Sequence, residues 1–104
     1  MTKENGKYFF GFWDEEYGTP DEKYEDFEHY RNTIDKKAVI QHIETLKKAI
    51  TIHEITDRFT GEKFKAGIYM DGDFTFSTDF VRYYKTQSIG IPYEYEEYLK
   101  KKLK

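Results

Sequence analysis

The sequence predicts a single α+β domain, in which a three-stranded antiparallel meander over about residues 50–77 carries an additional N-terminal strand and about four helices. Three observations lead there. A β-branched run, "ITIHEITDRF", is followed by two further alternating segments divided by short turns. Apolar residues recur at helical spacing on both sides of that block. The chain has 104 residues, one domain's worth, and residues 1–6 and 102–104 are expected to fray at its ends.

Taken in order, "KYFFGFW" (7–13) is short and aromatic, follows Asn5-Gly6, and reads as a strand buried on at least one face. Gly11 within it suggests close packing or a bulge. "DEEYG" reads as a loop leading to Thr19-Pro20-Asp21-Glu22, where Thr19 suits an N-cap and Pro20 the first helical position, so a helix is predicted over about 20–31. Asp35 then caps a second helix with Val39, Ile43 and Leu46 as its stripe and Ile40 beside it. After "ITIHEITDRF" and the link "TGEK", "FKAGIYM" alternates Phe64, Ala66, Ile68 and Met70 against Lys65, Gly67 and Tyr69. Asp71-Gly72-Asp73 is a tight turn into a third strand with Phe74 and Phe76. Ser77 or Thr78 caps a short helix with Phe80, Val81 and Tyr84 inward. Pro92 opens a last helix along Tyr95, Leu99 and Leu103, acidic at its start and rich in Lys at its end, as the helix dipole favours.

Composition narrows the function classes. Charged residues make up 36% of the chain, but 10 Tyr, 9 Phe and one Trp argue against disorder and for an aromatic core. With no cysteine, thiolate chemistry, disulfides and Cys-ligated zinc are ruled out. No apolar run marks a signal peptide or membrane span, so the default expectation is a soluble cytoplasmic protein without membrane partners. Nothing brings His29, His42 and His53 together as metal ligands, and "HEITD" lacks the second histidine of a metalloprotease helix. "DGD" lacks the further oxygens of a calcium loop. Glycines are scattered singly, and neither Ser77 nor Ser88 has a nucleophile-elbow context. The expectation is a protein that is not an enzyme and needs no cofactor.

The stretch "WDEEYGTPDEKYEDFEHYR" holds eight carboxylates against Lys23 and Arg31. On a helix over 20–31, Tyr24, Phe27 and Tyr30 share one side, and Asp21, Glu22, Glu25, Asp26 and Glu28 fill the other. Acids favour a first helical turn, but a face nearly without lysine forgoes the i,i+4 ion pairs that stabilise surface helices. Five charges over about 12 Å of helix give roughly one per 2.4 Å, close to the one per about 1.7 Å of duplex DNA. Such a face suits a basic protein surface. Asp14, Glu15 and Glu16 would extend it, with Trp13 and Tyr17 as apolar anchors. The leading expectation is a small acidic binding protein that docks on a basic partner, as an inhibitor of a nucleic-acid-binding protein or nuclease would. One alternative is a self-associating structural module, such as a homodimer, built on exposed aromatics. Another is nucleic-acid binding through the lysines and tyrosines of the last helix, which the overall net charge of −3 disfavours.

Overall fold

The computed structural model describes residues 1–18 and 22–103. It is an α+β fold: five strands form one mixed sheet, and five helices accompany it. The strands are β1 (Thr2–Glu4), β2 (Lys7–Phe10), β3 (Lys48–Thr56), β4 (Lys63–Asp71) and β5 (Phe74–Ser77), in spatial order β1-β2-β5-β4-β3. The helices are α1 (Asp14–Tyr17), α2 (Tyr24–Glu28), α3 (Lys36–Glu44), α4 (Thr78–Thr86) and α5 (Tyr93–Lys102).

The β3-β4-β5 meander is present, antiparallel throughout. The N-terminal strand joins it by running parallel to β5, with Phe10 opposite Phe76, so the sheet is mixed. Thr2–Glu4 fold back on β2 through a two-residue Asn5-Gly6 turn and add a fifth strand. The chain leaves β2 at Gly11, whose φ of +81° and whose missing side chain are both required. A Cβ there would stand 2.6 Å from Phe80 Cβ. Ser77 caps α4 by accepting from Phe80 N, and its hydroxyl donates to the Gly11 carbonyl, so one side chain starts a helix and fixes the end of β2.

One sheet face carries the core. Phe10, Phe74, Phe76 and Tyr69 point toward the helices, where Phe10 stacks on Phe76 at 4.9 Å and meets Phe80 edge-on at 5.1 Å. Tyr95, Leu99, Val39 and Ile43 complete it, as the helical stripes predict, whereas Leu103, expected on the α5 stripe, lies past the end of the helix and is 39% exposed. The opposite row, Thr2, Phe9, Thr75 and Met70, stays half-buried or exposed. Here the reading of β4 is corrected. Tyr69 and Asp71 face the helices, whereas Met70 is 51% exposed, because register with Phe74 and Phe76 decides which side of the strand turns inward.

The predicted 20–31 helix is also corrected. Its expected start at Thr19, Pro20 and Asp21 lies outside the described residues. The helical part of the remainder is only the five-residue α2, while "DEEY", read as loop, forms α1. A long helix would place Glu22 in solvent. Instead its carboxylate is drawn inward by two backbone N–H groups that would otherwise go unpaired.

Candidate functional site

The acidic stretch forms a lobe of two short helices clamped to the body from beneath. Glu22, 2% exposed, accepts from Gly11 N at 2.7 Å and Phe12 N at 3.2 Å through Oε1. Its carbonyl accepts from Asp14 N at 2.7 Å, starting α1, and Gly18 closes that helix by donating to the Asp14 carbonyl. Asp26 accepts from Lys23 N at 3.0 Å at the start of α2, and Tyr24 N lies 3.4 Å from Glu15 Oε1, joining the two helices.

Trp13 is completely buried, in edge contact with Tyr24 and Phe27 at 5.0 and 5.4 Å. It anchors the lobe internally, and it is no surface contact. Arg58 closes this aromatic cluster from outside, 4.2 Å above the Tyr24 ring, with Nη2 2.8 Å from Glu16 Oε1. Burial opposes its charge, but the Glu16 bond outweighs it, and the Arg58 pKa is raised.

The ten residues expected at the docking face therefore divide. Asp14, Glu15, Glu25, Asp26 and Glu28 are exposed and form no ion pair among the described residues. Tyr17 is 37% exposed, and its hydroxyl donates to Asp79 at 2.8 Å. Glu16 is half-buried and engaged by Arg58; Glu22 and Trp13 are buried; Asp21 lies outside the described residues. The five solvent-facing carboxylates stand on elements adjoining through the Asp14–Glu22 and Glu15–Tyr24 hydrogen bonds.

No family model, curated protein or solved structure matches the chain.

Sequence reasoning missed four buried carboxylates, Asp71, Glu96, Asp57 and Asp79, of which the first three are fully hydrogen-bonded. Asp71 accepts from Tyr95 Oη at 2.8 Å, Tyr98 Oη at 3.0 Å and Lys102 Nζ at 3.1 Å, and it pairs with His42 Nε2 at 2.8 Å. Burial works against its ionisation, but the bonds from Tyr95, His42, Lys102 and Tyr98 prevail and hold the carboxyl below its ordinary range. Glu96 accepts from Thr33 N, Ile34 N and the Asn32 amide, fixing the approach to α3. Asp57 accepts from Phe59 N and Thr60 N in the β3–β4 loop and from Arg82 Nε at 2.6 Å. Each of these three joins segments distant in sequence with all its polar atoms engaged, which is the arrangement of a structural pin. "DGD" already drew the eye to Asp71 as a turn residue; its place on the core side of β4 was the missing signal.

The three histidines occupy separate places: the end of α2, the Asp71 pin and the irregular middle of β3. Among the described residues no group of three His, Cys, Asp or Glu is disposed to hold a metal ion. A groove of about 560 Å³ lies between α4 and the β3–β4 strands, but its Arg82 is engaged by Asp57 and Glu62. In α5, Tyr95 is buried, Lys102 binds Asp71, and Lys100 lies 3.7 Å from Glu96, which leaves little of that helix for phosphates. No helix among the described residues is long and apolar enough to cross a membrane.

Proposed function

We propose that this chain is a small non-catalytic binding protein whose α1–α2 lobe docks on a basic surface of a partner protein. The observation that carries this is the pairing of opposites in one segment. Trp13, Glu22, Tyr24 and Phe27 are buried and hold the lobe in place, while Asp14, Glu15, Glu25, Asp26 and Glu28 face solvent and form no ion pair among the described residues. Fixed carboxylates need little reorganisation on binding, and their summed field steers a positively charged partner toward them. Occlusion of a groove that otherwise receives nucleic acid is the use such a face fits best, and the cytoplasm is the setting we assign to it.

Charge reversal tests this. Wild type and the Glu25/Asp26/Glu28→Lys variant, both checked for folding by circular dichroism, are used to capture partners from source-cell lysate. A basic protein retained by wild type and lost in the variant is expected; equal capture by both removes the proposal. A second reading, self-association, is favoured by the free edge of β3, where Ile50 is 52% and Ile52 is 88% exposed. In that reading the lobe variant keeps its partner, and the partner is a further copy of this chain.

A further inference from the structure

The contact between α1 and α4 holds two carboxyl oxygens that find no donor among the described residues. Asp79, fully buried at the start of α4, accepts from Tyr17 Oη at 2.8 Å through Oδ1, and Glu16 accepts from Arg58 at 2.8 Å through Oε1. Their second oxygens, Asp79 Oδ2 and Glu16 Oε2, are buried and have no partner among the described residues. Glu16 directly precedes Tyr17, whose hydroxyl is bound to Asp79, so the two carboxyls belong to the same α1–α4 contact. Both being ionised would leave two like charges in a site shielded from water, with two unmet acceptors. One proton resolves both problems.

We propose that Glu16 and Asp79 form a proton-binding site that latches α1 to α4 while it holds a single shared proton and releases α1 when that proton passes to solvent. Arg58, reaching in from the β3–β4 loop, is ion-paired with Glu16 Oε1, so the shared proton is placed on Asp79 and is donated to Glu16 Oε2. From α1, Tyr17 donates to the other Asp79 oxygen; Tyr83 on α4 is a further titratable group beside Tyr17, and His53 and Glu54 of β3 line the same cleft as Glu16 and Tyr17. Burial first, and the Glu16 carboxyl second, push Asp79 up to about 7. A helix of four residues has little stability of its own, so its position depends on such ties. The latch is argued from the α1–α4 contact alone, although α1 also carries Asp14 and Glu15 of the docking face, which are held in place only while it is closed.

The direction of the pH effect is set by linkage. The latched state binds a proton that the open state gives up at an ordinary carboxyl value near 4, so the opening constant rises about tenfold per pH unit from there to about pH 7 and levels off above. Hydrogen exchange at Tyr17 and Gly18 N–H, which donate to Trp13 and Asp14 carbonyls at 2.8 and 2.9 Å, reads that opening once intrinsic rates are removed. Wild-type protection is expected to fall by about tenfold for each unit between about pH 5 and pH 7. In Asp79→Asn the amide donates permanently to Glu16 while its carbonyl still accepts from Tyr17, so protection becomes independent of pH and exceeds wild type at about pH 7. Histidines titrate in the same range, and Asp79→Asn retains all of them, so it is the proper reference. Carbon-detected titration of the wild-type Asp79 carboxyl needs no variant and is expected to show a midpoint near neutrality. An ordinary acidic midpoint overturns the latch, as does an equal pH slope of protection in wild type and Asp79→Asn.

Discussion

Asp71→Ala is expected to destabilise the protein by about 3–5 kcal/mol, the cost of breaking a buried charged network by deleting its centre. The carboxylate is 2% exposed and receives donors from α3 through His42 and from three residues of α5, so its loss undoes the docking of two helices on the β4–β5 hairpin at once. Tyr95 is fully buried, and its hydroxyl would have no acceptor left. Against a total stability of about 5–15 kcal/mol for a domain, that is a large part of the whole. Urea denaturation of the two proteins at neutral pH gives the difference directly. The Asp71 carboxyl is held below its ordinary value in the fold. Its contribution is therefore fully present above the ordinary aspartate range near pH 4 and is lost as the pH falls through the lower, folded value. Wild type should lose stability more steeply than Asp71→Ala on acidification. A variant with the wild-type denaturation midpoint would mean that Asp71 is not the pin described.

Trp13→Ala should cost a comparable amount, about 3–5 kcal/mol, for a different reason. The side chain is completely buried and fills the space between Tyr24, Phe27 and Tyr83, with Arg58 5.5 Å above its ring. Truncation leaves a cavity beneath α2, and the rings that hold the acidic lobe lose their common support. Trp13→Phe should be milder, because the indole N–H has no acceptor among the described residues. Chemical denaturation followed by circular dichroism measures both. A loss below about 1 kcal/mol in Trp13→Ala would place the ring at the periphery, where surface substitutions usually have small effects.

Those two positions show where the sequence could be read and where it could not. The stripes of α3 and α5 were legible because helical spacing leaves little choice of buried face: Val39, Ile43, Tyr95 and Leu99 are inside. Phe74 and Phe76 were legible from alternation, and the turn at Gly72 from its residues, although Tyr98 lying over that glycine was not. Trp13 read as a surface anchor because it precedes a run of acids. Its burial depends on Tyr83, seventy residues away, and no local pattern contains that contact. Glu22 was assigned to the acidic arc on the assumption of one long helix; the unpaired N–H groups at Gly11 and Phe12 draw it inward. The parallel β2–β5 pairing was equally invisible, since it joins strands separated by most of the chain. The exposure of Asp14, Glu15, Glu25, Asp26 and Glu28 survives all of these changes, because each projects from the outer side of a clamped short helix.

A partner seated on that outer side would cover its carboxylates, and carboxyl footprinting of the complex captured by wild type reads this out. Labelling with a water-soluble carbodiimide, read by mass spectrometry in the free and bound protein, reports which carboxylates the partner covers. Protection is expected at Asp14, Glu15, Glu25, Asp26 and Glu28, with Glu94 and Glu97 on the exposed side of α5 labelled as in the free protein. Unchanged labelling across α1 and α2, with protection confined to Glu54 on β3 or to α5, would contradict the docking proposal.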